Sequence, residues 1–267
     1  MENRHISGIL EEMTVEDVER LDPNLALVPI GSTEPHGPAL AYGTDSFSVE
    51  AKCYESIKRA NFRGARAICL PVQKISLNNN FYGLRFACRI SVPVFMSMVR
   101  DIVRFLEGEG IKRILIANSH GGNTDVLKAV LRDMAGEKGI FLGLLPPGPA
   151  LPASSGLLGK VLEQPIPAGG EHGGEWETSN MLFLKPGLVR KDRIGVYPVN
   201  HPKIDSLEEC LVTHVKPWHL HLPASAGGDS RKASSEKARA IFEEGVEAWA
   251  GLLEELSKAP ESATFPF

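Results

Sequence analysis

The stretch GSTEPHGPALAYGTD, residues 31–45, places two carboxylates and an imidazole close together directly after the apolar run LALVPI, residues 25–30. These side chains, Glu34, His36 and Asp45, are separated mainly by glycine, proline and alanine. Glycine lets a backbone turn sharply and approach a ligand closely, so such a loop can aim short side chains inward. Because imidazole and carboxylate groups are ligands for zinc, manganese and iron, the stretch predicts a divalent-metal site.

Two further segments bordered by glycine carry residues of the same kinds. NSHGGN, residues 118–123, contains Asn118, His120 and Asn123. EHGGEWETS, residues 171–179, contributes four more candidates: Glu171, His172, Glu175 and Glu177. Two histidines and two or three carboxylates can hold two divalent ions if one carboxylate bridges them. No cysteine lies nearby, which argues against a structural zinc site.

Two bound metal ions would make hydrolysis of an amide feasible at neutral pH. They lower the pKa of a bound water and polarise a carbonyl group. The reaction then needs a proton shuttle to the leaving nitrogen, and a histidine outside the metal shell suits that role because its ordinary pKa is about 6.5. His172 is the candidate.

A different interpretation of HGGN stays open at this point. A glycine-rich turn can cradle phosphate at the start of the helix that follows it, where free backbone N–H groups collect. No GxGxxG or GxxxxGK[ST] pattern accompanies the turn. This alternative would make the protein a non-catalytic binding protein that holds a phosphorylated metabolite.

The elements that position these motifs follow from an alternation of apolar runs with helix-length periodic segments. Strands are predicted at LALVPI, ARAICLPV, KRILIAN and IFLGLLP, and helices at residues 45–60, 92–110, 123–139, 175–184 and 233–256. The alternation predicts an α/β fold with a mainly parallel sheet covered by helices on both faces. In such sheets the functional crevice lies at the carboxyl ends of the strands, where the first two motifs fall.

Two other segments give weaker structural predictions. Residues 147–170 are rich in proline and glycine and predict a long loop or lid over a site. In HLHL, His219 and His221 alternate with leucine, which predicts a strand with both histidines on one side.

Composition limits the class of protein. With 267 residues, 43% of them hydrophobic, and no convincing linker, the chain predicts a single domain over residues 1–267. A net charge of -4 with dispersed lysines and arginines argues against nucleic acid as a partner. The N-terminus lacks a signal peptide's apolar segment and no run reaches membrane-spanning length, so we expect a cytoplasmic protein without a membrane partner. The four cysteines are widely spaced, which predicts reduced packing residues.

Taken together, GSTEPHGPALAYGTD, NSHGGN, EHGGEWETS and the terminal GGDSRKASSEKARAIFEEGVE resemble the creatininase (creatinine amidohydrolase) family. The resemblance implies a three-layer α/β/α sandwich that assembles into homohexamers. It also implies two divalent metal ions, zinc, manganese or iron, and hydrolysis of a non-peptide carbon–nitrogen bond. The predicted substrate is a small cyclic amide or formamide, and creatinine is the most readily tested.

The resemblance implies roles for individual residues. The metal ligands at matching positions are Glu34, His36, Asp45 and His120. Asp45 would bridge the two ions, with Glu34 and His120 on one ion and His36 on the other. His172 together with Glu171 matches the catalytic proton shuttle of the creatinine-hydrolysing branch, in which a glutamate precedes the histidine, so the resemblance implies that both are catalytic. Asn123 and Trp176 are the predicted substrate-binding residues.

The sequence departs from the family pattern in two places. Creatinine-hydrolysing members carry a glutamate ligand where this chain has Gly122, and Glu175 is the predicted substitute. In KISLNNNFYGLRFACRISVPVF, Asn78 to Asn80 take up a region where the family has other residues. Arg85 and Arg89 in this region are candidates to meet an acidic substrate.

Overall fold

The computed structural model describes residues 6–136, 139–152, 154–166, 172–208, 212, 214–262 and 265–266. The strands are β1 (Leu25–Ile30), β2 (Ala67–Cys69), β3 (Arg113–Asn118), β4 (Phe141–Leu145), β5 (Val196–Tyr197) and β6 (Gly228–Asp229). The α-helices are α1 (Val15–Leu21), α2 (Thr44–Phe62), α3 (Val92–Gly108), α4 (Thr124–Met134), α5 (Leu157–Val161), α6 (Glu175–Leu184), α7 (Asp205–Glu208), α8 (Trp218–His221) and α9 (Ser235–Lys258).

The first four strands form one parallel sheet in the order β2-β1-β3-β4. All residues of β1 and β3 are buried, which explains why β1 is a continuous apolar run and why the four middle residues of β3 are apolar. Ile30 pairs with Asn118 in register, so β1 and β3 end at the same edge of the sheet. β5 and β6 form a separate antiparallel pair.

Helices cover both faces of this sheet, so the predicted three-layer α/β/α arrangement is confirmed. α3 and α4 pack on one face, and α2 and α9 pack on the other. α3 illustrates the cause: Phe95, Val99, Val103 and Leu106 recur at helical spacing and are all buried in the core. Burial of each such side chain stabilises the fold by about 1.5–3 kcal/mol.

Local signals account for the start of α9 and for one wrong prediction. Ser234 caps α9 by accepting a hydrogen bond from the N–H of Lys237, as the serine ahead of this helix predicts. HLHL is helical rather than extended, because the N–H of His221 bonds back to the carbonyl of Pro217. Four alternating residues are too few to distinguish a strand from one helical turn.

Two features bear on the sequence predictions about cysteine and membranes. Cys53 and Cys69 are buried free thiols, whereas Cys210 lies outside the described residues. Among the helices that the structure describes, none is long and apolar enough to cross a membrane.

Candidate active site

The first motif forms a tight loop between β1 and α2. A Cβ atom at Gly31 would lie 2.6 Å from the Cα atom of Ser46, so glycine is needed where β1 ends against α2. Gly37 has a φ of 75°, in the left-handed region that favours glycine. Because α2 begins at Thr44, Asp45 lies in its first turn, where the helix dipole stabilises a carboxylate.

Three carboxylates and three imidazoles meet at the carboxyl ends of β1 and β3. They belong to Glu34, His36, Asp45, His120, His172 and Glu177. Two groups of three side chains share Asp45, and within each group the ligand atoms lie within 4.8 Å of one another. One group joins Asp45 to Glu34 and His120, and the other joins it to His36 and Glu177.

The histidine nitrogens of this cluster lie close enough to the carboxylate oxygens for one ion to contact both. His36 Nε2 lies 3.4 Å from Asp45 Oδ1 and 3.8 Å from Glu177 Oε2. His120 Nδ1 lies 3.1 Å from Glu34 Oε2 and 3.3 Å from Asp45 Oδ2. Among the described residues, His36 Nε2 and Asp45 Oδ2 are buried without a hydrogen bond of good geometry. Buried polar atoms of this kind call for a ligand that satisfies them.

Backbone carbonyls orient two of the imidazoles. His36 Nδ1 lies 3.1 Å from the carbonyl oxygen of Glu34, and His120 Nε2 lies 2.8 Å from that of Leu77. Since a carbonyl oxygen only accepts hydrogen bonds, each of these nitrogens carries a proton, and in the neutral ring the other nitrogen keeps its lone pair. Those lone pairs face the carboxylates, an arrangement typical of histidines that bind metal ions.

His172 lies beside the two groups that share Asp45. Its Nε2 donates to the carbonyl oxygen of Pro35 at 2.9 Å. Its Nδ1 lies 3.8 Å from Glu34 Oε1. The rings of Phe81 and Trp218 pack edge-on against the imidazole, with centroids 5.5 and 5.4 Å away. Because Nε2 carries the proton that is donated to Pro35, Nδ1 is the nitrogen that can take up a further proton. Glu171, its predicted partner, lies outside the described residues.

Buried polar side chains outside the cluster hold Glu34 in place. Ser32 Oγ donates to Glu34 Oε2 at 3.0 Å. Asn78 Nδ2 donates to Ser32 Oγ at 2.7 Å and to the carbonyl oxygen of Cys88 at 2.8 Å. Asn78 thus has a structural purpose in the segment that departs from the family pattern, and sequence reasoning missed it because asparagine is common in loops.

Asn123 has a different role from the predicted contact with substrate. Its side chain is fully buried and does not line the cavity above the cluster. Its Oδ1 accepts from the N–H of Leu77 at 3.1 Å, and its Nδ2 donates to Asn118 Oδ1 at 3.1 Å. This placement corrects the prediction: Asn123 ties the Leu77 loop to the end of β3 and so positions the carbonyl that orients His120.

Gly122 leaves space for the hydrogen bond that orients His120. A Cβ atom at this position would lie 2.4 Å from His120 Nε2 and 2.8 Å from the carbonyl oxygen of Leu77. These are the two atoms of that hydrogen bond. A glutamate at position 122 is therefore incompatible with this arrangement, and a further carboxylate must come from another element.

The structure turns the predicted substitute, Glu175, away from the cluster. The Glu175 carboxylate accepts hydrogen bonds from Lys237 Nζ at 2.5 Å and from the N–H of Gln164 at 2.7 Å. Glu177 joins the cluster instead, and its Oε2 also accepts from the N–H of Gly173 at 2.6 Å. Residues two apart on a helix face different directions. The prediction for Glu175 is corrected on this ground.

The glutamine variants of these two glutamates should separate metal binding from stability. Glu177→Gln should weaken binding of one metal ion by at least about tenfold, since it removes a charged oxygen from the cluster. Glu175→Gln should keep the metal content but lower the free energy of unfolding by about 1–3 kcal/mol, because Lys237 loses its buried partner. Metal analysis after dialysis and chemical denaturation measure the two effects. The reverse pattern would restore Glu175 as the ligand.

The carboxylates of the cluster shift the pKa values of the histidines beside them. Burial lowers the pKa of His36, but the carboxylates of Asp45 and Glu177 outweigh it and raise that pKa to about 10. Burial also lowers the pKa of His120, and the charge of Glu34 with contacts to Asp45 raises it well above its ordinary value. In the absence of metal, protons therefore neutralise these carboxylates.

The metal-free protein should lose stability as the pH rises from 6.5 to about 10. The pKa of His36 is about 10 in the folded state against 6.5 as its ordinary value, so the folded state holds the extra proton in this window. The stabilisation is complete below the lower pKa and disappears as the pH rises through the higher one. His120 acts in the same direction.

Divalent ions would displace these protons, so metal-loaded protein should lack this part of the pH dependence. The melting temperatures of metal-free and metal-loaded protein, compared at each pH over this range, measure the difference. Titrating groups outside the cluster affect both forms equally, so their contribution cancels. Parallel curves for the two forms would contradict the prediction.

A cavity of about 600 Å³ opens above the cluster. Glu34, Asp45 and His120 lie in its lining, and Trp176 forms part of a wall. The predicted lid contributes Pro147, Gly148, Pro149 and Ile166 to the lining. These four residues bring the segment to the border of the cavity, and between them Leu157–Val161 forms the short helix α5 rather than loop.

Lys52 binds the backbone at Pro149 and Ala150, near the start of the segment that reaches the cavity. Its buried Nζ donates to the carbonyl oxygens of Pro149 at 2.5 Å and Ala150 at 3.3 Å, and it lies 4.2 Å from the ring centroid of Trp249. Burial lowers the pKa of Lys52 to about 7. The lysine fixes the loop backbone while its stem packs in the core.

The fold and the cluster together define an α/β protein with a buried site suited to divalent metal ions. The model of the creatininase family, described as creatinine amidohydrolase, matches residues 11–253, and the chain belongs to this family. Creatinine amidohydrolase of Pseudomonas putida is 26% identical over 249 residues, which cover 86% of this chain and 88% of that protein. The mycofactocin precursor peptide peptidase of Mycobacterium ulcerans (strain Agy99) is 26% identical over 236 residues, covering 83% and 81%.

Solved structures agree with this assignment. A structure from Bacteroides fragilis NCTC 9343, provisionally assigned as a creatinine amidohydrolase, superposes with a TM-score of 0.85 at 26% identity and covers 96% of this chain and 99% of that one. A creatininase variant of Zn–Zn type gives a TM-score of 0.73 at 26% identity and covers 95% and 99%. The protein is thus a hydrolase of the creatininase family. Its relatives are named for different substrates, so the family does not identify the substrate.

Proposed function

We propose that this protein is a binuclear metal-dependent amidohydrolase that cleaves a non-peptide carbon–nitrogen bond of a small cyclic amide or formamide. The observation that carries the proposal is the pair of ligand groups that share Asp45. Glu34 and His120 would complete the binding of one ion, and His36 and Glu177 that of the other. Asp45 would bridge the two.

The chemistry of these donors fits divalent zinc, manganese or iron. Carboxylate and imidazole groups are the usual ligands of these ions, and both imidazoles hold a lone pair toward the cluster. His36 Nε2 and Asp45 Oδ2, which are buried without a hydrogen bond of good geometry, are atoms that a cation would satisfy. Three carboxylates, Glu34, Asp45 and Glu177, would balance most of the charge of two divalent ions.

The protein's own residues would carry out the proton transfer to the substrate. When bound, the ions supply an acidified water and polarise the substrate carbonyl. His172 Nδ1 would receive a proton and return it to the leaving nitrogen. The carbonyl of Pro35 keeps the proton of His172 on Nε2, so Nδ1 starts the reaction with a lone pair. Packing of Phe81 and Trp218 against the ring limits its movement.

The non-catalytic alternative, a phosphorylated metabolite at the HGGN turn, is not favoured. Asp125 lies in the first turn of the helix that follows HGGN, where its negative charge would repel a phosphate. The Asn123 side chain is occupied by backbone and side-chain partners. Glu34 and Asp45, which lie beside His120 of this turn, are negative as well.

Metal analysis combined with substrate assays tests the proposal. We expect about two zinc, manganese or iron ions per chain and hydrolysis of a small amide that chelation removes and added metal restores. Creatinine, other small cyclic amides and formamides are assayed first. Two ions without turnover of creatinine would keep the amidohydrolase and discard that substrate. No bound metal after divalent ions are added back would refute the mechanism.

A second candidate substrate class follows from the relative named as a mycofactocin precursor peptide peptidase. The cavity of about 600 Å³ leaves room for a ligand much larger than a five-membered ring. Short peptides with an accessible end therefore belong in the same assay panel. Turnover of such peptides but not of creatinine would assign the protein to this class.

The predicted single domain, hexamer and cytoplasmic location remain part of the proposal. Exposed apolar side chains on α3, with Val94 55% and Phe105 52% accessible, support self-association through that helix. Sedimentation equilibrium measures the oligomeric state. A monomer at all concentrations would rule out the hexamer.

A further inference from the structure

We propose that Lys216 and Trp218 form a subsite that selects substrates carrying a planar apolar group and an anionic group remote from the scissile bond. The proposal rests on the proposed amidohydrolase function and specifies its substrate class. It concerns residues of the cavity lining other than the proposed metal ligands.

Lys216 adds a positive charge to the part of the cavity lining that lies outside the metal cluster. Of the described residues in the lining, it is the one lysine or arginine. It is partly buried, and no hydrogen bond or ion pair joins it to another residue in the described part of the chain. A partly buried cation without a protein partner is a favourable place for a ligand anion. Arg85 and Arg89, the arginines that the sequence suggests for an acidic substrate, are exposed and lie outside the lining.

Trp218 supplies an apolar wall next to this cation. Its ring lies 5.2 Å from that of Phe81 and 5.4 Å from that of His172, measured between centroids. The wall is therefore adjacent to the proposed proton shuttle. Trp218 Nε1 is buried without an acceptor among the described residues, so the partly exposed ring carbons, rather than this N–H, are what Trp218 offers to a substrate.

The two side chains come from one short, stiff segment. Pro217 separates them and precedes the helix that begins at Trp218, and the proline ring restricts the backbone between them. This arrangement preorganises the cation and the aromatic wall relative to each other. Preorganisation reduces the entropy cost of binding and so favours selectivity.

A negative side chain in the same lining adds to the orientation of a charged substrate. Asp125 also lines the cavity, and its side chain is 97% exposed. An anionic group would be repelled by Asp125 and attracted by Lys216. The substrate would therefore be oriented by both an attractive and a repulsive contact, which is how charge gives specificity.

Hydroxamic acids test the subsite without knowledge of the natural substrate, because the hydroxamate group chelates divalent ions and the remainder extends into the cavity. The probes are acetohydroxamate, benzohydroxamate and 4-carboxybenzohydroxamate, titrated into metal-loaded protein by calorimetry. We expect the carboxylate-bearing probe to bind at least about tenfold more tightly than benzohydroxamate at low salt. Lys216→Gln should abolish this preference.

Two further variants serve as controls. Lys203→Gln removes an exposed lysine outside the cavity lining and should preserve the preference for the carboxylate. Trp218→Leu should weaken both aromatic probes and leave acetohydroxamate unchanged, since only the aromatic probes reach the wall.

The outcomes separate failure of the subsite from failure of the proposed function. Binding of acetohydroxamate together with equal affinities for the two aromatic probes would overturn the subsite and leave the metal centre intact. A preference that survives Lys216→Gln would overturn it as well. Absence of metal and of acetohydroxamate binding would refute the proposed function, and the subsite with it.

Discussion

Replacing Asp45 with asparagine should remove both metal ions and reduce hydrolysis by on the order of 10³-fold or more, the largest effect we expect from any single substitution. Asp45 is the one side chain that both ligand groups share. Its Oδ1 lies 3.4 Å from His36 Nε2, and its Oδ2 lies 3.3 Å from His120 Nδ1. An amide in its place removes a negative charge from both groups and offers an N–H where a cation belongs.

Metal content per chain and turnover of the substrate found in the assay panel measure this effect. Asp133→Asn is the matched control, because Asp133 pairs with Arg100 at the surface and exposed ion pairs contribute little to stability. Circular dichroism shows whether the Asp45 variant is folded. A folded variant that kept both ions and full activity would exclude Asp45 as the bridge.

The parallel sheet could be predicted from the sequence because burial on both faces leaves a simple pattern. Leu25–Ile30 and Arg113–Asn118 are short, almost wholly apolar runs, which is typical of strands covered on both sides. The same logic located the proposed site. Parallel strands end at one edge of the sheet, so motifs that follow β1 and β3 had to meet there.

The choice between Glu175 and Glu177 could not be made from the sequence. Both lie in the first turn of α6 and follow the same glycines. What separates them is the rotation of the helix, which depends on its packing against α9 and on a partner, Lys237, that is distant in the chain. Sequence spacing shows that the two face different directions but not which of them faces the cluster.

The role of Gly122 could not be predicted from the sequence either. From the sequence it is a missing ligand, whereas in the structure it is the space that the His120–Leu77 hydrogen bond requires. Leu77 lies far from His120 in the sequence and has no polar side chain that would mark it. The contributing group is a backbone carbonyl, which every residue possesses and which composition cannot reveal.

The proposed subsite of Lys216 and Trp218 could not be predicted from the sequence for a third reason. They lie in a segment of short helices and loops with no sustained periodicity, where the alternation of HLHL predicted a strand and the structure has a helical turn. Such segments are positioned by tertiary contacts rather than by local propensity. Here the ring of Trp218 packs against Phe81 and His172, which fixes the segment over the cavity.

His172→Gln should retain both metal ions and the substrate affinity but lower kcat by about 10²- to 10⁴-fold, the range for loss of a general acid or base. Glutamine offers an N–H that can still donate to the carbonyl of Pro35, as His172 Nε2 does at 2.9 Å. It has no counterpart of Nδ1 that accepts and releases a proton. Burial lowers the pKa of His172 well below its ordinary value, and the charge of His36 lowers it further in the metal-free protein.

The pH profile distinguishes a proton shuttle from a residue that only shapes the cavity. In the parent protein, kcat should fall as the pH drops through the pKa of His172, which lies below the ordinary value of 6.5. His172→Gln should lack this acidic limb, because the titrating nitrogen is gone. His221→Gln is the matched control: His221 also contacts Trp218 but lies outside the cavity lining, so its variant should keep the limb and most of the rate. An unchanged profile in His172→Gln would assign the proton transfer to another group.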